Sequence, residues 1–199
     1  MKKIISLEGA WAGGKTSILR EIGKLGERTY QSIVPVIYDI KGREEYSPRK
    51  DPEEFTKLFL RLKEAQCHDA LTKEGDILFF DRVFFAPIVL RRFLGLEVPG
   101  EFYELLKAAN LSKTIFLVEP IPLEMHKDGW PRKHFSYEES LVYHKITEEV
   151  ILEQGFQVER VPYLVSAEER AKLILSKVNT TIITGSEEQD ERHNKTIGG

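Results

Sequence analysis

Residues 9–16 read GAWAGGKT, so that two glycines five positions apart are followed at once by a lysine and a threonine. Gly9-x-x-x-x-Gly14-Lys15-Thr16 is a spacing that can hold a polyphosphate. Glycines let the backbone curl until successive N–H groups point inward at phosphate oxygens, and a helix beginning at the end of the loop adds the positive end of its dipole. Gly9, Ala12, Gly13, Gly14, Lys15, Thr16 and Ser17 are therefore the candidate phosphate contacts. Lys15 would bridge the terminal phosphates, and the Thr16 hydroxyl would complete the oxygen shell of a magnesium ion. ATP and Mg2+ are the implied cofactors. The GxGxxG spacing of a dinucleotide site is absent, which argues against NAD.

Three further groups could serve the same chemistry. ILFFD carries an apolar run into Asp81, at the carboxyl end of an expected strand, where ligands of parallel sheets collect. Asp81 is a candidate to hold magnesium through water, and Arg82 beside it could grip an acceptor phosphate or the transferring group through two parallel hydrogen bonds. Asp39, at the end of SIVPVIYDI, is a candidate base for an acceptor hydroxyl, with Glu44 and Glu45 as competitors. Tyr38, Arg43 and Tyr46 are candidate contacts to an acceptor base or sugar. PLEMHKDGWPRKHF is irregular and charged, and Lys127, Arg132 and Lys133 within it could form a lid, about residues 121–135, closing positive charge over the phosphates. Arg132 is preferred because Trp130 and Pro131 would stiffen its approach.

The elements that must position these groups alternate. KKIISLE reads as a buried strand before the loop, and SILREIGKLGER as a helix beginning near Lys15, with Ile18, Ile22 and Leu25 on one face and Gly26 at its end. SIVPVIYDI reads as a second strand, placed toward a sheet edge because Pro35 removes a ladder donor. DPEEFTKLFLRLKEAQCHDALTKEG opens with an N-cap aspartate and a proline and reads as a long helix. DILFFDR, KTIFLVEP and FQVERVP supply three more strands, and helical pieces fall at about 84–94 and 100–110. Ser136 with Glu139, and Ser166 with Glu169, are capping boxes that open two further helices. Arg91 and Arg92 read as a solvated helix face, the phenylalanines at 55, 59, 84 and 85 as core, and His68, His126, His134 and His144 have no metal-ligand spacing. This alternation predicts an α/β fold: a five-stranded, mostly parallel sheet with helices on both faces, three layers in all.

Composition sets the remaining bounds. The 199 residues suit one domain, expected over 1–179, with a polar and weakly ordered tail over 180–199. Lysine and arginine number 29 against 32 acidic residues, and a formal charge of -3 gives no general pull toward nucleic acid. Cys67 is the single cysteine, which excludes an internal disulfide, and no apolar run is long enough to cross a bilayer. The chain reads as cytoplasmic, with a small-molecule acceptor as partner, and is compatible with a homodimer.

With the loop preceded by glutamate (LEG), the Asp81-Arg82 pair and the charged segment after the fourth strand, residues 2–178 resemble the P-loop nucleotide and nucleoside kinases, thymidylate kinase among them. The resemblance implies the three-layer P-loop fold, donor phosphates and magnesium at Gly14, Lys15 and Thr16, the acceptor near Arg82 and a lid at Arg132. Trp11 stands where thymidylate kinases have an aspartate, and IYDIKGREEY lacks their arginine-glutamate-proline stretch. DGWPR, SYEES and VPYLVSAEER are also similar to small P-loop ATPases and kinases of varied substrate. The expected activity is transfer of the γ-phosphoryl group to a nucleoside, a nucleoside monophosphate or a similar acceptor. A P-loop ATPase or nucleotide switch acting on a protein partner is the alternative, without the guanine-reading NKxD element: Asn194-Lys195 is followed by Thr196-Ile197.

Overall fold

The central strands of the sheet are short, largely apolar runs, and two of them end where the candidate chemistry-bearing residues begin. The computed structural model describes residues 2–42, 46–126, 135–164 and 166–179. β1 (Lys3–Gly9) leads into α1 (Lys15–Lys24), followed by β2 (Arg28–Tyr30), α2 (Val34–Lys41), α3 (Pro52–Thr72) and β3 (Ile77–Asp81). Then come α4 (Phe85–Phe93), α5 (Gly100–Ala108), β4 (Thr114–Val118), a 3-10 turn (Leu123–Met125), α6 (Tyr137–Glu153), β5 (Gln157–Val161) and α7 over residues 167–179. The strands form one sheet in the order β2-β3-β1-β4-β5, and each neighbouring pair is parallel.

Alternation along the strands divides the core into two layers. Ile5, Leu7, Phe79, Phe116 and Val118 face α1 and α7, meeting Ile18, Leu19, Ile22, Ala171 and Ile174. Ile4, Leu78, Phe80, Ile115 and Leu117 face the other way, toward α3 to α6 and the side chains of Phe59, Phe85, Phe102 and Tyr143. Strands covered on both faces need apolar residues at successive positions, which is why ILFF and TIFLV read as continuous runs. β1 lies between β3 and β4, so the chain crosses to opposite sides of it, and the crevice opens at its carboxyl end.

The helix starts follow the capping signals. The Asp51 side chain accepts from Glu54 N at 3.1 Å, with Pro52 as the first residue of α3. At α6, Glu139 N donates to Ser136 Oγ at 3.2 Å while Ser136 N donates to the Glu139 carboxylate at 2.7 Å. Ser166 and Glu169 repeat this exchange at α7.

Three expectations are corrected. SIVPVIYDI is not a strand: residues 34–41 form α2, and the edge strand is the earlier Arg28–Tyr30. Pro35 sits in the first helical turn, where its missing N–H costs nothing, and Ile33 and Ile37, four apart, are both buried on one face. Arg91 is not solvated. It is buried, with Nη1 2.6 Å from Glu53 and Nε on the Glu97 carbonyl. Leu25, expected on the buried face of α1, is its exposed C-cap. Among the described residues no helix is long and apolar enough to cross a membrane.

The capping exchange at α6 gives a direct check. Ser136→Ala removes the acceptor for Glu139 N and should lower stability by about 1 kcal/mol in a urea titration, with the slope unchanged.

Candidate active site

The loop from Gly9 to Gly14 is held by packing as much as by its own conformation. Gly9 has φ +120°, and a Cβ there would lie 2.6 Å from the Val118 carbonyl oxygen and 3.1 Å from His144 Nδ1. Ala12 and Gly14 are also left-handed, at φ +53° and +86°. Gly14 is the N-cap of α1 and supplies no side-chain cap, so the first-turn N–H groups lack that partner and suit an anion. Lys15 is buried and folds back, its Nζ donating to the carbonyls of Gly9 (3.3 Å) and Ala10 (2.5 Å).

Four side chains from elsewhere in the chain brace this loop through its backbone. His144 Nδ1, on α6, accepts from Ala10 N at 3.3 Å, and Ser140 Oγ donates to the Trp11 carbonyl at 3.1 Å. Arg170, on α7, donates to the Gly13 carbonyl (3.0 Å) and the Glu119 carbonyl (2.9 Å). Arg82 donates to the Gly9 carbonyl at 3.0 Å. The Trp11 ring stacks on Phe135 at 4.0 Å between centroids, lies 4.2 Å from Tyr143 and meets Phe93 edge-on at 5.3 Å. Trp11 therefore anchors the loop to α4 and α6 through apolar contact.

Behind the loop lies a cluster of buried charges. Thr16 Oγ1 donates to Asp81 Oδ2 at 2.7 Å, joining the start of α1 to the end of β3. Asp81 Oδ1 is buried with no hydrogen-bond partner. A hydroxyl and a carboxylate with an unused oxygen are hard oxygen donors of the kind Mg2+ takes, and magnesium keeps its other positions for water and phosphate. No cluster of three or more metal-ligating His, Cys, Asp or Glu side chains occurs among the described residues. Arg82 takes φ +58°, a strained value for a residue with a side chain. Its backbone is pinned on either side: Arg82 N donates to the Leu7 carbonyl at 3.1 Å, and Val83 N donates to Glu8 Oε1 at 2.9 Å. Burial pushes the Glu8 carboxyl above its ordinary value, against hydrogen bonds from Ser6 and Val83 and the charges of Arg82 and Lys15. Lys63, fully buried on α3, donates to Gln66 Oε1 (2.7 Å) and to the Asp81 carbonyl (3.3 Å), and burial brings its ammonium down to about 8.

A cavity of about 520 Å3 runs from this loop into an aromatic chamber. Ala12, Gly13, Gly14, Lys15, Thr16, Ser17, Asp81 and Arg82 line one end. Ser32, Val34, Pro35, Tyr38, Phe55 and Phe59, on and just before α2 and on α3, form one wall, and Trp11, Pro48, Ala86, Leu90, Ile121, His126, Phe135 and Tyr143 line the rest. Asp81 is the sole carboxylate among these residues, and the α2 and α3 wall carries no charge. The Arg82 guanidinium lies 5.6 Å from the Tyr143 ring centroid, with Nε buried and without a hydrogen-bond partner. Its Nη2 is already committed to the loop.

Lys15, Thr16, Ser17, Asp81 and Arg82 are thus brought together at one end of one cavity. Asp39 is not among them: with its segment helical rather than extended, it is exposed on α2 and does not line the cavity. Tyr38 does line it, whereas Tyr46 is buried behind, with its ring stacked toward Phe55. Arg43, Glu44, Glu45, Lys127, Arg132 and Lys133 lie outside the described residues, as does the tail from 180. Phe55 and Phe59 belong to the core, as their spacing implied, and also line the chamber. Sequence reasoning missed His144, Arg170 and Lys63. The only signal available was a polar residue on an otherwise apolar helix face, which marks burial but not the partner.

The sequence model of a family described as an AAA domain, AAA_28, matches residues 4–170. No curated protein matches the chain. Among solved structures, the chain is similar to the deoxyadenosine kinase from M. mycoides with bound dATP, at 18% identity and a TM-score of 0.61, over 88% of this chain and 99% of that one. It is also similar to the NadR protein in complex with NR, at 14% identity and a TM-score of 0.63, over 87% of this chain and 50% of that one. Shikimate kinase from Acinetobacter baumannii in complex with shikimate is a third, at 15% identity and a TM-score of 0.54, over 91% and 95%. These likenesses establish the α/β fold of the P-loop kinases, with its parallel five-stranded sheet.

The contact at Gly9 yields a sharp expectation. Gly9→Ala puts a Cβ against the Val118 carbonyl at a φ that alanine avoids, and should cost at least about 2 kcal/mol of stability, read as a lower urea midpoint. Gly26→Ala, where nothing lies within 4 Å of the added Cβ, keeps the unfavourable φ of +95° without the clash and should cost less.

Proposed function

The chain belongs to the AAA domain family, and we propose that it is an ATP- and Mg2+-dependent phosphotransferase that moves the γ-phosphoryl group to a hydroxyl of a small acceptor bearing a flat ring, a nucleoside above all. The observation that carries this reading is one cavity in which the phosphate loop, the Thr16–Asp81 pair and an aromatic chamber are continuous. A hydrolytic switch has no use for such a chamber beside its phosphates. A phosphotransferase needs room for two reactants held in line, and gains rate by fixing them there.

In this reading the polyphosphate lies along residues 9–17, with Lys15 turned from the loop carbonyls to the terminal phosphates. Thr16 and Asp81 would hold the magnesium ion, which neutralises charge on the phosphates when bound. Arg82 faces the transferring group, its backbone fixed by Leu7 and Glu8 and its guanidinium tied to Gly9. Asp81 Oδ2 accepts from Thr16, in the pair that would hold the ion, and Oδ1, without a partner, is the oxygen that would meet the acceptor hydroxyl, Asp81 being the only carboxylate among the described residues that line the cavity. Six aromatic rings, from Trp11, Tyr38, Phe55, Phe59, Phe135 and Tyr143, would sandwich a flat ring and exclude water. The uncharged α2 and α3 wall favours a neutral acceptor over a monophosphate, whose charge would call for lysine or arginine there. The structural neighbours named for deoxyadenosine and for shikimate are in keeping with a hydroxyl acceptor.

The test is an acceptor screen with γ-labelled ATP against nucleosides, nucleoside monophosphates and polyols. Wild-type protein should yield a phosphorylated nucleoside, and Lys15→Ala should lose about a hundredfold or more of the transfer rate. Asp81→Asn should lose activity on a similar scale, while Asp39→Asn, on the exposed face of α2, should stay within about threefold. ATP hydrolysis unaffected by every acceptor would favour the switch reading, and a silent Asp81→Asn beside an inactive Asp39→Asn would reverse the assignment of the base.

A further inference from the structure

His144 touches the phosphate loop from behind and has no part in the chemistry just assigned. It is buried on α6, and its Nδ1 accepts from the Ala10 backbone N–H at 3.3 Å. A ring nitrogen that accepts carries no proton, so the neutral imidazole bears its proton on Nε2. That nitrogen stands 3.3 Å from Glu119 Oε2, in a geometry outside hydrogen bonding, and has no hydrogen-bond partner among the described residues. Glu119 in turn pairs with Arg160 of β5 at 2.6 Å, and its carbonyl accepts from Arg170, which also holds the Gly13 carbonyl. His144 and Arg170 therefore grip opposite ends of the same loop, and both contact Glu119.

The space around His144 leaves the loop no slack. Gly9 approaches so closely that a Cβ there would lie 3.1 Å from Nδ1. Ala10 is fully buried, so its N–H has no solvent to turn to. A proton on Nδ1 would set two donors face to face across this contact, and the peptide between Gly9 and Ala10 would have to move.

We infer that His144 is a positioning residue for the donor nucleotide: its unprotonated Nδ1 fixes the Gly9–Ala10 peptide in the orientation the phosphate loop needs, so that protonation of this imidazole releases the loop and weakens nucleotide binding. The inference rests on the donor-site reading above. The titratable and charged groups facing the imidazole are Glu119 after β4, Glu148 on α6, Lys15 of α1 and Arg160 of β5. Burial is the largest influence and holds the imidazole below its ordinary value; Glu119 and Glu148 oppose this, and Lys15 and Arg160 reinforce it. The sign follows. The ring is neutral at pH 7, and the contribution it makes is present above 6.5 and lost as the pH falls through the lowered folded value. The positive charge gained on protonation would lie behind the loop beside Glu119, whose other oxygen is paired with Arg160. The lost hydrogen bond, rather than attraction to phosphate, decides the direction.

The test measures ATP affinity with Mg2+ by calorimetry between pH 7.5 and 5.0, on folded protein checked by circular dichroism at each pH. Wild-type affinity should fall as the pH drops through the lowered value of the imidazole, approaching a loss of about tenfold once the ring is protonated, the size expected for one buried N–H left without an acceptor. His144→Asn puts an amide oxygen near the position of Nδ1 without a titrating ring, and should bind near the wild-type level at pH 7.5 with less than about threefold change across the range. His144→Leu should bind weakly throughout. In a Trp130→Phe background Trp11 is the sole tryptophan, and its emission without nucleotide should titrate with a midpoint below 6.5 that His144→Asn abolishes. A wild-type affinity flat with pH, or an equal fall in His144→Asn, would overturn the inference. If wild-type protein bound no ATP at any pH, the donor-site reading would fail and the Trp11 titration alone would decide: a midpoint removed by His144→Asn sustains the role of His144, and no midpoint ends it.

Discussion

The close seat of the loop backbone on β4 and α6 is the constraint from which the rest of the site follows. Because Gly9 carries no Cβ, its backbone can lie against the Val118 carbonyl and the His144 ring. From that seat the chain turns through Ala12 and Gly14 in left-handed conformations and delivers Lys15 and Thr16 to the carboxyl end of β1. Local strain of this kind persists only where surrounding contacts over-determine it. Here they come from α6, α7, the turn after β3 and a stacked tryptophan, all acting on a loop of six residues. A loop already curled needs little reorganisation to take up phosphate, which is the form preorganisation takes at a site built from main-chain amides.

The buried charges behind the loop have a common logic. Glu8, Lys63, Asp81 and Arg82 are each nearly inaccessible, a costly arrangement unless every group is held by partners. Glu8 takes hydrogen bonds from Ser6 and Val83, Lys63 donates to Gln66 and the Asp81 carbonyl, and Arg82 donates to loop carbonyls. The atoms left without partners are Asp81 Oδ1 and Arg82 Nε, and both residues line the cavity. Unsatisfied polar atoms in a native interior call for an explanation, and in the proposed reading the ligands supply it.

Much of this was legible in the sequence, for reasons that particular residues make plain. GAWAGGKT announced the loop because glycine spacing reports backbone conformation directly, and ILFFD announced Asp81 because a doubly covered strand must be apolar until it emerges. Ser136 and Glu139 fixed the start of α6 because a capping box is a purely local exchange. SIVPVIYDI misled because a short β-branched run with one proline fits an edge strand and a first helical turn equally well, and only packing of Ile33 and Ile37 against the core distinguishes them. The roles of Trp11, His144 and Arg170 could not be read, since each depends on a partner 82 to 157 residues away, brought near by the crossovers of the sheet. The aromatic chamber was hidden for the same reason. Phe55 and Phe59 show the spacing of core residues and belong to the core, and only the surrounding fold leaves a space beside them.

Capture of a nucleoside triphosphate by the loop is the proposition on which the transfer chemistry and the role of His144 both stand. Isothermal titration of folded wild-type protein with ATP, with and without Mg2+, tests it most directly. One saturable site per chain is expected, strengthened by the metal and lost when Lys15 is replaced by alanine. Absence of any heat of binding, from protein whose circular dichroism shows it folded, would contradict it.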